Sequence, residues 1–331
     1  MSEKPEEKNS SHAAKTADLK FAQAARNYMH KKANPGPLYA WPMGAWFLLF
    51  FVVPLAIIVV FSFMERNVHG GVLHKFSLEA YSAMFTKGYG VIFCRTLFIA
   101  AVSTLITILI ALPSGYAMAR SHHQTIFLIL VIVPFLTNSL IRIFAWKLIL
   151  GDGGLINQAG AWLSTIVHGK DYVYQPIKLM YTRGSVILVS IYLYLPYAIL
   201  PVFTAIDRFD FSLLEAARDL GATKSVAMFK VLIPNIKHGI ISAIIFTFIP
   251  IFGTYTIPDL VGGKSTYMLG NIIYDQVKIR NWPLSSAFSV VISLISIAGV
   301  LWMLAAGKKE ASLKKTSNKE DNSVSLFGGR K

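Results

Sequence analysis

Few residues of this 331-residue chain have the types and the spacing that catalysis or metal binding requires. Residues 262–266 (Gly-Gly-Lys-Ser-Thr) match the end of a phosphate-binding loop, but that loop needs a glycine where Pro258 stands and a strand before it. His122 and His123 are adjacent, a pattern more typical of a solvated turn than of a metal site. The single cysteine, Cys94, excludes an internal disulfide and a cysteine-based metal site. We therefore expect no catalytic residue, no metal site and no cofactor bound by this chain.

A second group of residues is suited to binding cations rather than to making or breaking bonds. Aromatic rings attract cations through their faces, and a carboxylate adds the opposite charge. Tyr255 and Asp259 are four residues apart, so they share one face if the chain is helical there. Tyrosine and tryptophan near a membrane boundary are also common interfacial anchors, and Asp259 has the alternative of capping the loop that follows it. The candidate side chains for a cation path are Trp146, Tyr194, Tyr197, Phe252, Tyr255 and Asp259.

The elements that must position these residues are long apolar segments. Hydrophobic residues make up 54% of the chain and charged residues only 15%, and the mean hydropathy is positive. A bilayer core about 30 Å thick needs roughly 20 mostly apolar residues to cross it as a helix, and backbone groups inside it must be hydrogen-bonded within the segment. We therefore expect an all-α integral membrane protein with six transmembrane helices, at residues 41–64, 96–119, 126–148, 185–206, 240–258 and 287–306.

The distribution of basic residues predicts how these spans are oriented. Segments 1–40, 120–125, 207–239 and 307–331 carry 20 of the 32 Lys and Arg residues, whereas segments 65–95, 149–184 and 259–286 carry 10. Short loops rich in Lys and Arg stay in the cytoplasm, so both termini are expected there, with the basic tail near anionic lipid headgroups. The formal net charge of +15 therefore requires no nucleic-acid partner.

The same pattern predicts how the chain is divided. We expect a cytoplasmic N-terminal arm at 1–40 and a first transmembrane helix with its outer loop at 41–90. A transmembrane domain at 91–306 follows, with a cytoplasmic loop at 207–239 between the fourth and fifth spans, and then a basic tail at 307–331.

The third predicted span contains one polar stripe. Asn138, Arg142 and Trp146 follow one another at intervals of four residues, which places them on one helix face. A charged residue inside a span indicates function by default, but an arginine does not suit a cation path. Arg142 has three alternatives: pairing with a carboxylate such as Asp152, reaching outward to the interface, or bonding a partner subunit. We favour a structural role.

The loop at 207–239 has the local signals of two short helices. Ser212 and Glu215 have the spacing of a capping box, which predicts a helix that begins at Leu213. Gly221 is placed to end that helix in a left-handed turn. A second helix is expected to begin near Thr223 and to stop before Pro234. Together they would form a small knob at the membrane face.

At these residues the chain resembles the permeases of ABC importers. Their signature is Glu-Ala-Ala, three residues, Gly, nine residues, and then Ile-x-Leu-Pro. Val231 and Ile233 are conservative departures from its isoleucine and leucine. The residues that match it are Glu215, Ala216, Ala217, Gly221 and Pro234.

The resemblance implies a type I importer permease whose loop at 207–239, the coupling loop, docks on an ATPase through Glu215 and Gly221. It also implies a cytoplasmic ATPase dimer that carries ATP and Mg²⁺, a second similar permease and an extracytoplasmic substrate-binding protein. The implied location is the bacterial inner membrane, and the chain itself is not an enzyme.

Beyond the signature, residues 40–306 are similar to the spermidine/putrescine permeases. The similar stretches are 140–146, 194–201, 258–263 and 281–283. Permeases for ferric ion, thiamine, opines and aminophosphonates share parts of them, so these cargoes stay as alternatives. A stand-alone secondary transporter is a further alternative, but it would leave the coupling loop unexplained.

Overall fold

Long apolar runs form helices in the computed structural model, which describes residues 36–86, 88–168 and 174–327, with side chains described at 41–85, 88–168 and 174–305. Most of the predicted N-terminal arm therefore lies outside the described residues. Four helices are long and apolar enough to cross a membrane alone: Trp41–Ser62, Tyr89–Ala119, Arg183–Asp207 and Trp282–Ala305. The number of spans is six if each of two bent helix pairs is one span. The prediction of a six-span helical membrane protein is confirmed.

The elements follow in chain order. The helices are α1 (Gly36–Phe47), α2 (Val53–Ser62), α3 (Glu79–Thr86), α4 (Tyr89–Ala119), α5 (Gln124–Leu136), α6 (Ser139–Leu150), α7 (Leu155–His168), α8 (Arg183–Asp207), α9 (Ser212–Asp219), α10 (Lys224–Ala227), α11 (Ile233–Asn235), α12 (Lys237–Gly253), α13 (Leu269–Lys278) and α14 (Trp282–Phe327). Between α2 and α3 lies an antiparallel hairpin of β1 (Met64–Arg66) and β2 (Val72–Phe76), which hydropathy did not predict.

The chain divides into two compact units at Ile57 and Ile58. In the described part of the first unit, α1 continues through a π-helical turn at Leu48–Val52. Its side chains from Trp41 onward are exposed, as expected of a helix that faces lipid.

The second unit is built around α4, α8 and α12. Gly115 of α4 allows close packing on α8, because a Cβ there would lie 2.9 Å from Val202 Cγ1 and 3.2 Å from the Phe203 nitrogen. Gly239 of α12 has the same role, since a Cβ there would overlap Ala205 Cβ and lie 3.0 Å from the Pro201 carbonyl oxygen. Small residues at such crossings let membrane helices pack closely.

The third predicted span is not one helix. α5 and α6 form a pair bent by 90°. The break lies at Thr137, which is extended, and at Asn138, whose side-chain oxygen accepts a hydrogen bond of 2.8 Å from the Leu140 N–H and so begins α6. Hydropathy does not detect this break, because apolar residues lie on both sides of it.

The fifth predicted span is also different. α12 begins at Lys237 rather than at residue 240, and it ends at Gly253 rather than at 258. It follows the segment Lys224–Asn235 at a bend of 72°. After Thr254 and Tyr255, a separate π-helical turn runs from Pro258 to Gly262.

A buried apolar cluster joins the helix core to the coupling loop. Ile108 and Ala111 of α4, Val202 and Ile206 of α8, and Ala243 of α12 belong to it. Leu214, Ala227, Leu232 and Ile236 of the coupling loop are buried in the same cluster. The coupling loop is therefore packed directly against α4, α8 and α12.

Candidate functional site

Asp210 makes a turn just before the first helix of the coupling loop, because its side-chain oxygen accepts a hydrogen bond of 3.0 Å from the Ser212 N–H. Hydrogen bonds from the Ser212 side chain and then from its N–H hold the pKa of the exposed Asp210 carboxyl below its usual value. α9 begins at Ser212, after Phe211 in the N-cap position. The predicted capping box of Ser212 and Glu215 was therefore wrong, because the aspartate two residues earlier makes the first turn.

Gly221 ends α9 as predicted. Its φ is +89°, which is the left-handed region that favours glycine. The Gly221 N–H donates to the Arg218 carbonyl at 2.9 Å, and the Ala222 N–H donates to the Ala217 carbonyl at 3.0 Å. This pair of hydrogen bonds is the Schellman motif. A Cβ on Gly221 would meet no atom within 4 Å, so the backbone conformation alone selects glycine.

The second helix of the loop begins where predicted but does not stop before Pro234. The Thr223 side chain accepts a hydrogen bond of 3.4 Å from the Val226 N–H and caps α10. The chain then widens into a π-helical turn at Met228–Leu232 and passes Pro234 before it ends at Asn235. In a regular helix, proline clashes with the carbonyl four residues earlier. The wider π-helical turn is the physical reason why the helix can continue past Pro234.

Aromatic contacts fasten this knob to the end of α4. The Arg120 guanidinium lies 5.0 Å from the centroid of the Phe211 ring. Tyr116 meets the same ring nearly edge-on at 6.2 Å, and Phe209 does so at 5.5 Å. Leu214 is buried below it. The knob is thus held on the side that faces the helix core.

Other residues of the knob are exposed, and several of them are large and apolar. Leu220 is 90% exposed, Phe229 70% and Leu213 47%. Glu215, Ala216 and Gly221 of the signature are also exposed, whereas Ala217 and Pro234 are half-buried. Glu215 lines a small pocket together with Tyr116, Arg120 and Phe211. Exposed large apolar residues in one region mark a surface that binds another protein.

Three of the aromatic candidates lie on α6 and α8 and pack against other rings. Trp146 of α6 lies at 5.5 Å from Tyr192, ring to ring. On α8, Tyr194 and Tyr197 are 5.8 Å apart, and Tyr197 packs edge-on against Phe135 of α5 at 4.9 Å. Tyr197 is 37% exposed. It lines an open groove of about 590 Å³ between α8 and α12, together with Thr204, Arg208, His238, Ser242 and Phe246.

Phe252 belongs to the core in this conformation. It is fully buried and contacts Phe248 at 5.6 Å and Phe93 at 6.2 Å. The side chain therefore offers no surface to a pathway here.

Arg142 does not use its Nε for the predicted pairing with Asp152. Among the described residues, this buried nitrogen has no hydrogen-bond partner. Asp152 is exposed in the turn after α6. The alternative of a bond to a partner subunit stays open for this atom.

Tyr255 and Asp259 lie beyond the end of α12 rather than within it. They still share one turn, because the Asp259 N–H donates to the Tyr255 carbonyl at 3.1 Å. The Tyr255 ring stacks on Tyr274 of α13 at 4.7 Å and 20°. Sequence reasoning missed Tyr274, although its spacing of four residues from Lys278 on a helix was a usable signal.

A separate observation concerns metals. Within the part of the chain that the structure describes, no group of three His, Cys, Asp or Glu side chains is arranged to hold a metal ion.

Comparison with protein families identifies the chain. Residues 28–308 match the family described as binding-protein-dependent transport system inner membrane component. The chain belongs to this family. It is therefore a multi-pass membrane component of a transport system, and this family is one of permeases rather than of enzymes.

Individual members and solved structures agree with the family. The chain is 33% identical over 254 residues to the spermidine/putrescine transport system permease protein PotB of Haemophilus influenzae, which covers 76% of this chain and 86% of that protein. A bacterial ABC transporter involved in the import of the acidic polysaccharide alginate has a chain with a TM-score of 0.68 at 16% identity, covering 86% of this chain and 99% of that one.

A second structure of a bacterial alginate ABC transporter, in complex with an alginate pentasaccharide-bound periplasmic protein, gives a TM-score of 0.61 at 16% identity, with coverage of 83% and 95%. At such identities the structural likeness concerns the fold, which is that of an ABC importer permease.

Proposed function

We propose that this chain is the permease subunit of an ATP-driven importer and forms part of the membrane path for polyamines such as spermidine and putrescine. The cargo is assigned from the 33% identity, over most of both chains, to a permease whose name states spermidine and putrescine. The alginate transporters resemble the chain in fold alone and do not bear on cargo.

The side chains described above have the chemistry that a flexible polycation needs. Tyrosine and tryptophan rings bind ammonium groups through their faces, and Tyr194, Tyr197 and Trp146 lie around α8. Beyond α12, Tyr255 shares a turn with Asp259. Weak aromatic contacts supported by few charges hold a cation loosely enough for it to pass on.

The assembly follows from the surfaces of the chain. The coupling loop, with exposed Glu215, Leu220 and Phe229, suits a cytoplasmic ATPase subunit, and two copies of that subunit bind ATP and Mg²⁺ away from this chain. The open groove that contains Tyr197 suits a second, similar permease. A substrate-binding protein delivers the cargo at the outer face.

The orientation is part of the same proposal. Both termini and the coupling loop lie in the cytoplasm of a bacterial cell, because the segments that carry most Lys and Arg are then inside. The loops at 65–95, 149–184 and 259–286 are then at the outer face of the inner membrane.

Transport follows from the connection between loop and helices. When the two ATPase subunits close, they displace the coupling loop, and the cluster that contains Leu214, Ala227 and Leu232 moves α4, α8 and α12 with it. The transporter alternates between an inward-open and an outward-open state. This requires only that the ATPase subunits and the substrate-binding protein bind the two states with different affinities.

The test is uptake of labelled spermidine by cells with and without this chain, with its partner subunits present. We expect uptake to require the chain and to be blocked by excess putrescine but not by ferric ion, thiamine, an opine or an aminophosphonate. Inhibition by one of those four compounds instead would assign the same machine to that cargo. Uptake that persists without the ATPase subunit would identify a secondary transporter.

A further inference from the structure

One aromatic ring in the segment after α12 has both a stacked neighbour and a cation against it. The Tyr274 ring is stacked with Tyr255 at 4.7 Å. The Lys278 ammonium nitrogen lies 4.2 Å from the centroid of the Tyr274 ring. Tyr274 and Lys278 are four residues apart on α13, which brings their side chains together. The ring is therefore a cation-binding surface that the chain's own lysine occupies.

Buried polar contacts fix the position of this stack. The buried Asn271 donates from Nδ2 to the Tyr255 carbonyl at 3.0 Å, and its Oδ1 accepts from the Met268 N–H at 3.1 Å. Gly270 packs closely on the break after α12, because a Cβ there would lie 2.6 Å from the Thr254 carbonyl oxygen. The Leu269 N–H donates to the Thr96 hydroxyl of α4 at 3.0 Å. The stack is thus attached to the helix core through its backbone.

Two carboxylates belong to the same segments of the chain as the stack. Asp275 follows Tyr274 and accepts a hydrogen bond of 2.5 Å from the Tyr267 hydroxyl, and Asp259 shares a turn with Tyr255. The hydrogen bond to Asp275, followed by burial and by the charges of Asp275 and Asp259, raises the pKa of Tyr267 to about 12. Both carboxylates therefore act on the same phenol, which stays protonated at neutral pH. Asp259, Asp275 and Lys278 together carry a formal charge of −1.

We propose that Tyr255, Tyr274, Asp259 and Asp275 form a receiving site for the aminobutyl end of a polyamine, and that Lys278 occupies this site until the cargo arrives. The side chain of lysine is four methylene groups ending in a primary ammonium, which is the chemical structure of putrescine's end and of one end of spermidine. A site that binds the Lys278 side chain against Tyr274 accepts the same group from a free molecule. This inference rests on the proposed function and on its orientation, which places residues 259–286 at the outer face.

The lysine has a specific consequence for binding. A tethered group competes with the cargo at a high effective concentration, so it weakens the site without removing it. A weak site releases the cargo to the tyrosines of α8. Removal of the Lys278 charge should therefore strengthen binding, which is the opposite of the usual effect of removing a contact.

The experiment uses the assembled transporter in lipid nanodiscs and a spermidine derivative that carries an aryl azide on its aminopropyl end. After photolysis, labelling of the peptide that contains Tyr274 is quantified by mass spectrometry at a subsaturating concentration. We expect labelling that excess spermidine suppresses. Lys278→Met should increase it about two- to fivefold, which is the effect of one exposed cation–π contact on binding.

Three further variants separate the site from a general effect of charge or misfolding. Lys264→Met removes another exposed charge from the same segment and should leave labelling as in the wild type. Tyr274→Leu should abolish it, and Tyr274→Phe, which retains the ring, should restore it. Labelling that is absent from this peptide, or equal in Lys278→Met and the wild type, overturns the inference.

The outcome is distinguishable from a failure of the proposed function. Uptake of spermidine by the wild-type transporter is measured in the same preparation after reconstitution. Uptake without labelling at this peptide refutes the receiving site alone. Absence of polyamine uptake refutes the proposed function on which the site rests.

Discussion

Replacement of Gly221 by alanine changes the coupling loop at a single backbone position. Gly221 has a φ of +89° and ends α9 through two hydrogen bonds. Its position has open space around it, since a Cβ would meet nothing within 4 Å. The substitution therefore adds no steric clash within the chain, and its effect comes from the left-handed conformation alone.

The magnitude follows from that conformation. An L-residue with a Cβ in the left-handed region costs about 1–2 kcal/mol relative to glycine. If the turn opens to relieve this strain, the ratio of the native to the open turn falls about 5- to 30-fold. Gly221→Asn should have a smaller effect, because asparagine adopts this conformation more readily than alanine.

The assay compares two rates in the reconstituted transporter, ATP hydrolysis and spermidine uptake. We expect Gly221→Ala to lower the number of spermidine molecules imported per ATP, because the loop no longer presents Glu215 and Leu220 in one fixed geometry. Gly88→Ala is the matched control: Gly88 also has a positive φ, +68°, and open space around it, but it precedes α4. The reasoning is refuted if Gly221→Ala transports with wild-type coupling, or if both variants lose coupling equally.

Three further predictions concern packing and protonation. Gly239→Ala should destabilise the helix core by about 1–3 kcal/mol through overpacking, seen as a lower Tm of the purified transporter, whereas Gly253→Ala, at a position with open space, should leave Tm unchanged. The folded Asp210 carboxyl has a pKa below its ordinary value of 3.8. Its stabilisation of α9 is therefore complete above pH 3.8 and is lost as the pH falls through the lowered value. Limited proteolysis of the loop as a function of pH measures this loss, and an unchanged pH profile in Asp210→Asn would contradict the prediction. In Asp275→Asn the pKa of Tyr267 should fall from about 12 toward the ordinary 10. A difference titration of tyrosine absorbance measures this pKa. An unchanged value would exclude the hydrogen bond to Asp275 as the cause of the raised pKa.

Hydropathy located the spans because the bilayer imposes one strong constraint, a length of apolar helix. It identified Tyr89–Ala119, Arg183–Asp207 and Trp282–Ala305 to within a few residues at most ends. It did not locate the 90° bend before Ser139 or the end of α12 at Gly253. Both breaks depend on a few hydrogen bonds, such as the cap at Asn138, that do not change the average hydropathy of a segment.

The coupling loop was predictable for a different reason. Gly221 and Thr223 act through local backbone geometry, which short patterns specify. The helix α9 begins at Ser212, however, and the side-chain oxygen that bonds the backbone before its first turn is that of Asp210 rather than Ser212. The passage of Pro234 through the helix depended on the π-helical turn before it, which no sequence pattern indicated.

The cluster around Tyr274 shows the limit of sequence reasoning for a site. Tyr255 and Asp259 were candidates because they are close in sequence. Tyr274 meets Tyr255 only because Asn271 and Gly270 fix α13 against the break after α12. Contacts between distant segments depend on packing, and one sequence gives no direct signal for them.

The most direct test of the account is ATP-dependent accumulation of labelled spermidine in proteoliposomes that contain this chain, its partner permease and the ATPase, with the substrate-binding protein outside. We predict accumulation only when ATP and the binding protein are both present, and its loss when this chain is left out. Accumulation without ATP hydrolysis, or transport of thiamine or ferric ion in place of spermidine, would contradict the account.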